Sequence, residues 1–265
     1  MAEKSADYDR IIEHIFSAHY RAKFTGFDFK RDELESAATL LGVPRPKNLG
    51  DVIYTFRYRK SLPEKISSTA PRGKEWIIRP SGPSRYRFVL VREWKLAPNP
   101  AMAQVKVPAA TPGIISKYAL SDEQALLAIL RYNRLVDTFT GVTCYSLQNH
   151  LRTAVPEIGQ VETDEIYVGV DRQGSHYVIP VQAKGGRDRL SRVQIEQDMA
   201  LCAAKFSNLV CRPVAAQFVE DSLIALFEFE LDGDELSIRT ERHYRLVDPD
   251  SISAEELRRY RSAAS

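Results

Sequence analysis

The stretch GQVETDEIYVGVDRQGSHYVIPVQAKGG, Gly159 to Gly186, holds two apolar runs around a short polar turn. Alternating and β-branched residues predict a strand from Glu162 to Val170 and another from His176 to Lys184. Asp171-Arg172-Gln173-Gly174 between them is a hairpin turn sequence. Acids open the first strand, and Gln182-Ala183-Lys184 ends the second. Residues two apart on a strand share a face, so Glu162 pairs with Asp164 and Gln182 with Lys184. The hairpin gathers both pairs at its open end. Oxygen donors in such a cluster suit Mg²⁺, a hard ion. A bound metal polarises a phosphodiester, and a lysine can orient water or stabilise the developing charge. The same (Asp/Glu/Gln)-x-Lys pattern occurs at Asp28-Phe29-Lys30 and Gln104-Val105-Lys106. Neither of those ends a strand that pairs with an acid-opened strand. If Asp171 pairs with Gly174, Gln182 faces Thr163 and Glu165, and a one-residue bulge restores Asp164. Asp164, Glu165 and Glu162 therefore all stand as metal candidates.

These residues resemble the PD-(D/E)xK nuclease superfamily, with its restriction-endonuclease-like fold. The likeness covers Gly159–Lys184 well and roughly Ser121–Leu246 in element order. It implies an Mg²⁺-dependent endonuclease acting on DNA, with Asp164 the metal-binding acid, Gln182 the second ligand and Lys184 the catalytic lysine. Two residues depart from the family pattern. Thr163 stands where the family has proline. Gln182 stands where a second acid is usual, as in the Mrr-like restriction endonucleases that carry Q-x-K. An amide oxygen binds Mg²⁺ more weakly than a carboxylate, and Glu162 is the residue that could supply the charge. The family also places an acid on the preceding helix, for which Glu123 and Asp137 are the candidates.

Around this hairpin the chain reads as an α/β mixed sheet flanked by helices. Ser121 and Gln124 form a capping-box pattern before Leu126, Leu127 and Leu130. Ser146 to Ala154 has the spacing of a short helix. Ser191 and Gln194 form another capping box, with Ile195, Met199, Cys202 and Phe206 behind it. Strands are expected at Val214–Val219, Leu223–Glu230 and Leu236–Leu246. Arg187, Arg189 and Arg192 lie between the lysine strand and that helix start, a position suited to DNA phosphate.

Upstream, Leu96 to Gly113 carries four prolines and marks a linker at residues 97–113. It separates an N-terminal domain, residues 1–96, from the nuclease-like residues 114–265. Helical spacing at Ile11–Phe16, a helix over Arg31–Leu41 and one capped by Asn48 precede two strand-like runs, Glu75–Arg79 and Arg85–Val91. That order is winged-helix-like. In its third helix, Arg57, Arg59 and Lys60 alternate with aromatics and would meet DNA. Residues 1–110 hold 20 Lys and Arg against 12 Asp and Glu, whereas the remainder holds 17 against 23. A basic half suits a polyanion partner.

No apolar run is long enough for a membrane helix. The three cysteines lack CxxC spacing, which fits a reducing cytoplasm. The sequence contains no Walker loop, GxGxxG, GxSxG or HExxH. The expected function is a DNA endonuclease of a restriction or phage-defence system, with a homodimer implied by cutting two strands. The alternative is a non-catalytic DNA-binding regulator with a degenerate nuclease fold.

Overall fold

The structure is a computed structural model that describes residues 2–46, 48–118, 123–156, 158–185, 190–220 and 222–263. It is a mixed α/β protein built on two sheets. The first half runs α1 (Ala2–His19), β1 (Gly26–Lys30), α2 (Arg31–Leu40), α3 (Leu49–Tyr54), α4 (Glu64–Ser67), β2 (Lys74–Pro80) and β3 (Arg85–Arg92). The apolar faces anticipated for these helices are the ones buried: Ile11, Ile12, Ile15 and Phe16 on α1, and Leu34, Ala37 and Ala38 on α2. Asn48 caps α3 by accepting from the Gly50 amide at 3.0 Å. Beyond Tyr54 the helix widens into a single π-turn, Thr55–Arg59, closed by the Lys60 amide on the Thr55 carbonyl. The three strands form an antiparallel sheet in the order β1-β3-β2. Phe16 packs edge-on to Phe27, Trp76 and Phe88 at centroid distances of 5.4, 5.3 and 5.1 Å, which ties α1 to that sheet.

The second half continues with β4 (Gln104–Pro108), α5 (Gly113–Tyr118), α6 (Glu123–Tyr132), α7 (Leu135–Thr140), β5 (Thr143–Val155), β6 (Gly159–Val170) and β7 (His176–Lys184). It ends with α8 (Arg192–Lys205), β8 (Val210–Cys211), β9 (Val214–Glu220), β10 (Leu223–Asp232), β11 (Glu235–Val247) and α9 (Ala254–Ala263). The sheet runs β4-β11-β10-β9-β7-β6-β5, with β8 beside β7. β7 pairs parallel with β9, and β4 parallel with β11; the rest of that path is antiparallel. Leu126, Leu127 and Leu130 of α6 pack with Tyr167, Ile179, Val181 and Ala183. Leu201 and Cys202 of α8 pack with Ile166 and Val178, so the two helices cover opposite faces of the hairpin.

Two expectations change. The segment Ser146–Ala154 is not a helix but most of β5, a 13-residue edge strand on β6. Leu147 and Leu151 have helical spacing, yet pairing with β6 supplies the backbone partners, and His150 takes a left-handed φ of 47° that interrupts any helix. Part of the proline-rich connector is also structured, because Gln104–Pro108 is the edge strand β4. Gly169 marks how closely β5 lies on β6: a Cβ there would meet the Thr143 carbonyl oxygen at 2.9 Å and Val142 Cγ1 at 2.5 Å.

Candidate active site at the open end of the β6–β7 hairpin

The hairpin turn is one residue longer than the Asp171–Gly174 closure. The Asp171 amide bonds the Ser175 carbonyl, and Val170 lies opposite His176. The ladder then runs to Glu165 opposite Val181. Val161 and Ile166, five positions apart, lie in the same cluster under α8. Strict alternation would put them on opposite faces, so the pleat slips by one residue between them. Asp164 and Glu165 follow one another at this slip, and both interact with residues of α6.

Asp164 Oδ2 accepts from the Ala183 amide at 2.9 Å, within the Gln182-Ala183-Lys184 strand end. Lys184 Nζ donates to Glu123 Oε1 at 2.6 Å, and its side chain is only 11 % exposed. Burial raises the Asp164 pKa, and the negative charge of Glu123 adds to the rise. The Ala183 amide, Lys184 and His150 oppose it. His150 in turn meets Gln124 of α6, Nε2 to Nε2, at 2.7 Å. Of the two helix acids considered, Glu123 is the one at the strand end. Asp137 instead holds Arg134 and the Cys144 amide.

Gln182 points to α8. Its Nε2 donates to Asp198 Oδ2 at 2.9 Å, and its Oε1 accepts from Gln194 Nε2 at 3.3 Å. Gln182 is 1 % exposed and Asp198 fully buried. Burial pushes the Asp198 carboxyl up to about 8, with the Asp164 charge adding to the rise and hydrogen bonding and Lys184 opposing it. Thr163, itself fully buried, lies beside Asp198, and its hydroxyl, with the Gln182 amide, opposes the rise. Asp198 was missed in the sequence, although it continues the buried stripe of Ile195 and Cys202 at helical spacing.

The other acids are engaged elsewhere. Glu165 is completely buried, gripped by Arg131 at 3.0 Å through both carboxylate oxygens and by Ser146 at 2.5 Å. That is a structural ion pair. Glu162 pairs with Arg152 directly across the β5–β6 ladder at 2.7 Å.

The basic residues separate in the same way. Arg192 is buried, bonding Glu196 at 2.6 Å and the Asp234 carbonyl, so it does not face a phosphate. Burying its charge at the helix start is compensated by Glu196, one turn on. Lys60 is held by Asp9 and Ser5. Arg57 is half-buried over Tyr58, its Nε and Nη2 lacking partners. Arg59 is exposed, with its guanidinium 4.8 Å from the Tyr54 ring centre. Arg187 and Arg189 lie outside the described residues.

The π-turn itself rests on α8. Tyr58 donates to Gln197 Oε1 at 2.5 Å, and burial raises the Tyr58 pKa. Arg79 of β2 grips Glu196 at 2.6 and 2.9 Å and Asp234 at 3.0 Å. Arg92 meets Glu235 across the same seam. Gln194 and Gln197 are therefore turned inward to Gln182 and Tyr58.

Chemically, the strand end offers two carboxylates and an ammonium within one small volume. Among the described residues no group of three or more His, Cys, Asp or Glu side chains is arranged to hold a metal. One or two carboxylates completed by water and substrate phosphate are nonetheless the usual set for Mg²⁺, and Asp164 with Glu123 fits that set. The rise at Asp164, caused first by burial and then by the Glu123 charge, is what a divalent cation would relieve. Comparisons with family models, curated proteins and solved structures returned no match.

Proposed function

We propose that the chain is an Mg²⁺-dependent DNA endonuclease of restriction-endonuclease-like fold, serving a restriction or phage-defence role. The observation that carries this reading is the meeting of Asp164, Glu123 and Lys184 at the end of β7. Asp164 and Glu123 would hold the Mg²⁺, whose chemistry is to polarise the phosphate and acidify water. Asp164, fixed by the Ala183 amide, sets the position of its carboxylate relative to the strand end. Lys184, whose ammonium lies on Glu123 at 2.6 Å, would serve the attacking water or the phosphate oxygens. Gln182, with both amide ends on α8, supports the strand rather than the ion.

The N-terminal order of helix, strand, three helices and two strands, with a β1-β3-β2 sheet, supports a winged-helix reading. Arg59 is the exposed base of its third helix and the best DNA contact there. Cutting both strands calls for two such sites, so a homodimer is part of the proposal. The engagement of Gln182 by α8 favours the second reading, a regulator that binds DNA without cutting it. Incubating plasmid and phage DNA, methylated and unmethylated, with the protein and Mg²⁺ decides between them. Nicked or linear products, absent with EDTA and with Lys184→Ala, are the expected outcome. DNA binding with no cleavage of any of these substrates would leave the regulator.

A further inference from the structure

The pair Gln182–Asp198 joins the candidate catalytic strand to α8 in a fully buried setting. Gln182 carries no charge, and its side-chain amide nitrogen donates to Asp198 Oδ2 at 2.9 Å. Gln194 takes the other end of the same amide. The strand bearing Lys184 is thus pinned two residues before the ammonium. Ala183, between them, supplies the amide that orients Asp164. A shift of Gln182 would therefore move both the acid and the lysine.

We propose that Asp198 is a positioning residue for phosphodiester cleavage, acting through Gln182 to fix the Ala183 amide and Lys184. This rests on the nuclease reading above. It also gives a reason for glutamine at position 182: a buried acid on α8 needs a donor opposite it. A glutamate there would set two carboxyls against each other, and they would have to share a proton or separate. A glutamate facing an asparagine would restore one donor and one acceptor with the roles exchanged.

The test is a mutant cycle in the full-length protein, assayed with supercoiled plasmid and Mg²⁺ and, in parallel, by thermal melting. Asp198→Ala and Gln182→Glu should each lower kcat by about tenfold or more, with KM changed by less than about threefold, because DNA contacts are untouched. Asp198→Asn keeps an acceptor for Gln182 and should retain most of the rate. The double variant Gln182→Glu with Asp198→Asn should recover rate and melting temperature relative to Gln182→Glu alone, since contacting residues couple. Wild-type rates in Asp198→Ala, or a double variant no faster than Gln182→Glu, would overturn the proposal. A wild-type protein that cuts nothing would overturn the nuclease reading and the catalytic role together. Recovery of melting temperature alone would then mark the pair as scaffold.

Discussion

Lys184 has an acid on α6 as its direct partner and another, Asp164, close enough to feel its charge. Lys184→Met keeps the aliphatic stem and removes the ammonium, so it separates charge from packing. On the nuclease reading proposed above, the expected loss of cleavage rate is about 10²-fold or more, the scale for a group aimed at transition-state charge, with DNA affinity preserved in a mobility-shift assay. Asp164→Asn should abolish cleavage at every Mg²⁺ concentration, whereas Glu165→Gln should show itself first as a lower melting temperature, because it breaks a buried pair with Arg131. Asp198 gives a pH signature. Its carboxyl is raised from an ordinary value of 3.8 to about 8 in the folded protein. Between roughly pH 4 and 8 the native state keeps a proton that the unfolded chain has released, so this group's stabilising contribution declines across that window and is gone above it. Melting temperatures measured from pH 5 to 9 should fall less steeply in Asp198→Asn than in the wild type. An unchanged slope would mean Asp198 is ionised in the native protein at neutral pH.

At the scale of elements, the hairpin and most helices were readable because their signals are local. Apolar alternation defines β6 and β7, and the Ser191–Gln194 capping box begins α8 as expected. Ser146–Ala154 was misread because its leucine spacing is helical while its structure comes from pairing with β6, a tertiary partner invisible in a window of nine residues. Asp164 and Lys184 were legible from their places at strand ends. The separation of Glu165 from Asp164 was not, since it depends on a one-residue slip in the pleat. Gln182 was identified by position, but its partner on α8 lies 16 residues away and could only be guessed from an acid on an apolar stripe. The close fit of β5 on β6 can be probed at Gly169. Gly169→Ala forces a methyl against the Thr143 carbonyl and Val142, and should cost about 1–3 kcal/mol in urea unfolding, the usual range for overpacking. A neutral effect would show that β5 can lift from the sheet edge.

For the whole molecule, the basic and acidic halves meet through specific ion pairs and not through general attraction alone. Glu196 lies between Arg79 of the first half and Arg192 of the second, and Tyr58 seats the π-turn on α8. Arg79→Ala should cost about 2 kcal/mol, between the values for exposed and fully buried pairs. It should also raise protease sensitivity between the halves, around Lys95 and residues 97–103. If stability and digestion pattern are unchanged, the seam is held by its apolar contacts. On the nuclease reading proposed above, in which one half reads DNA and the other cuts it, the clasp has a geometric corollary. A seam that does not swing behaves as a ruler, so the scissile bond should fall at a constant number of base pairs from the bound sequence. Loosening the clasp at Arg79 should blur that spacing into a ladder of neighbouring cuts on a sequencing gel.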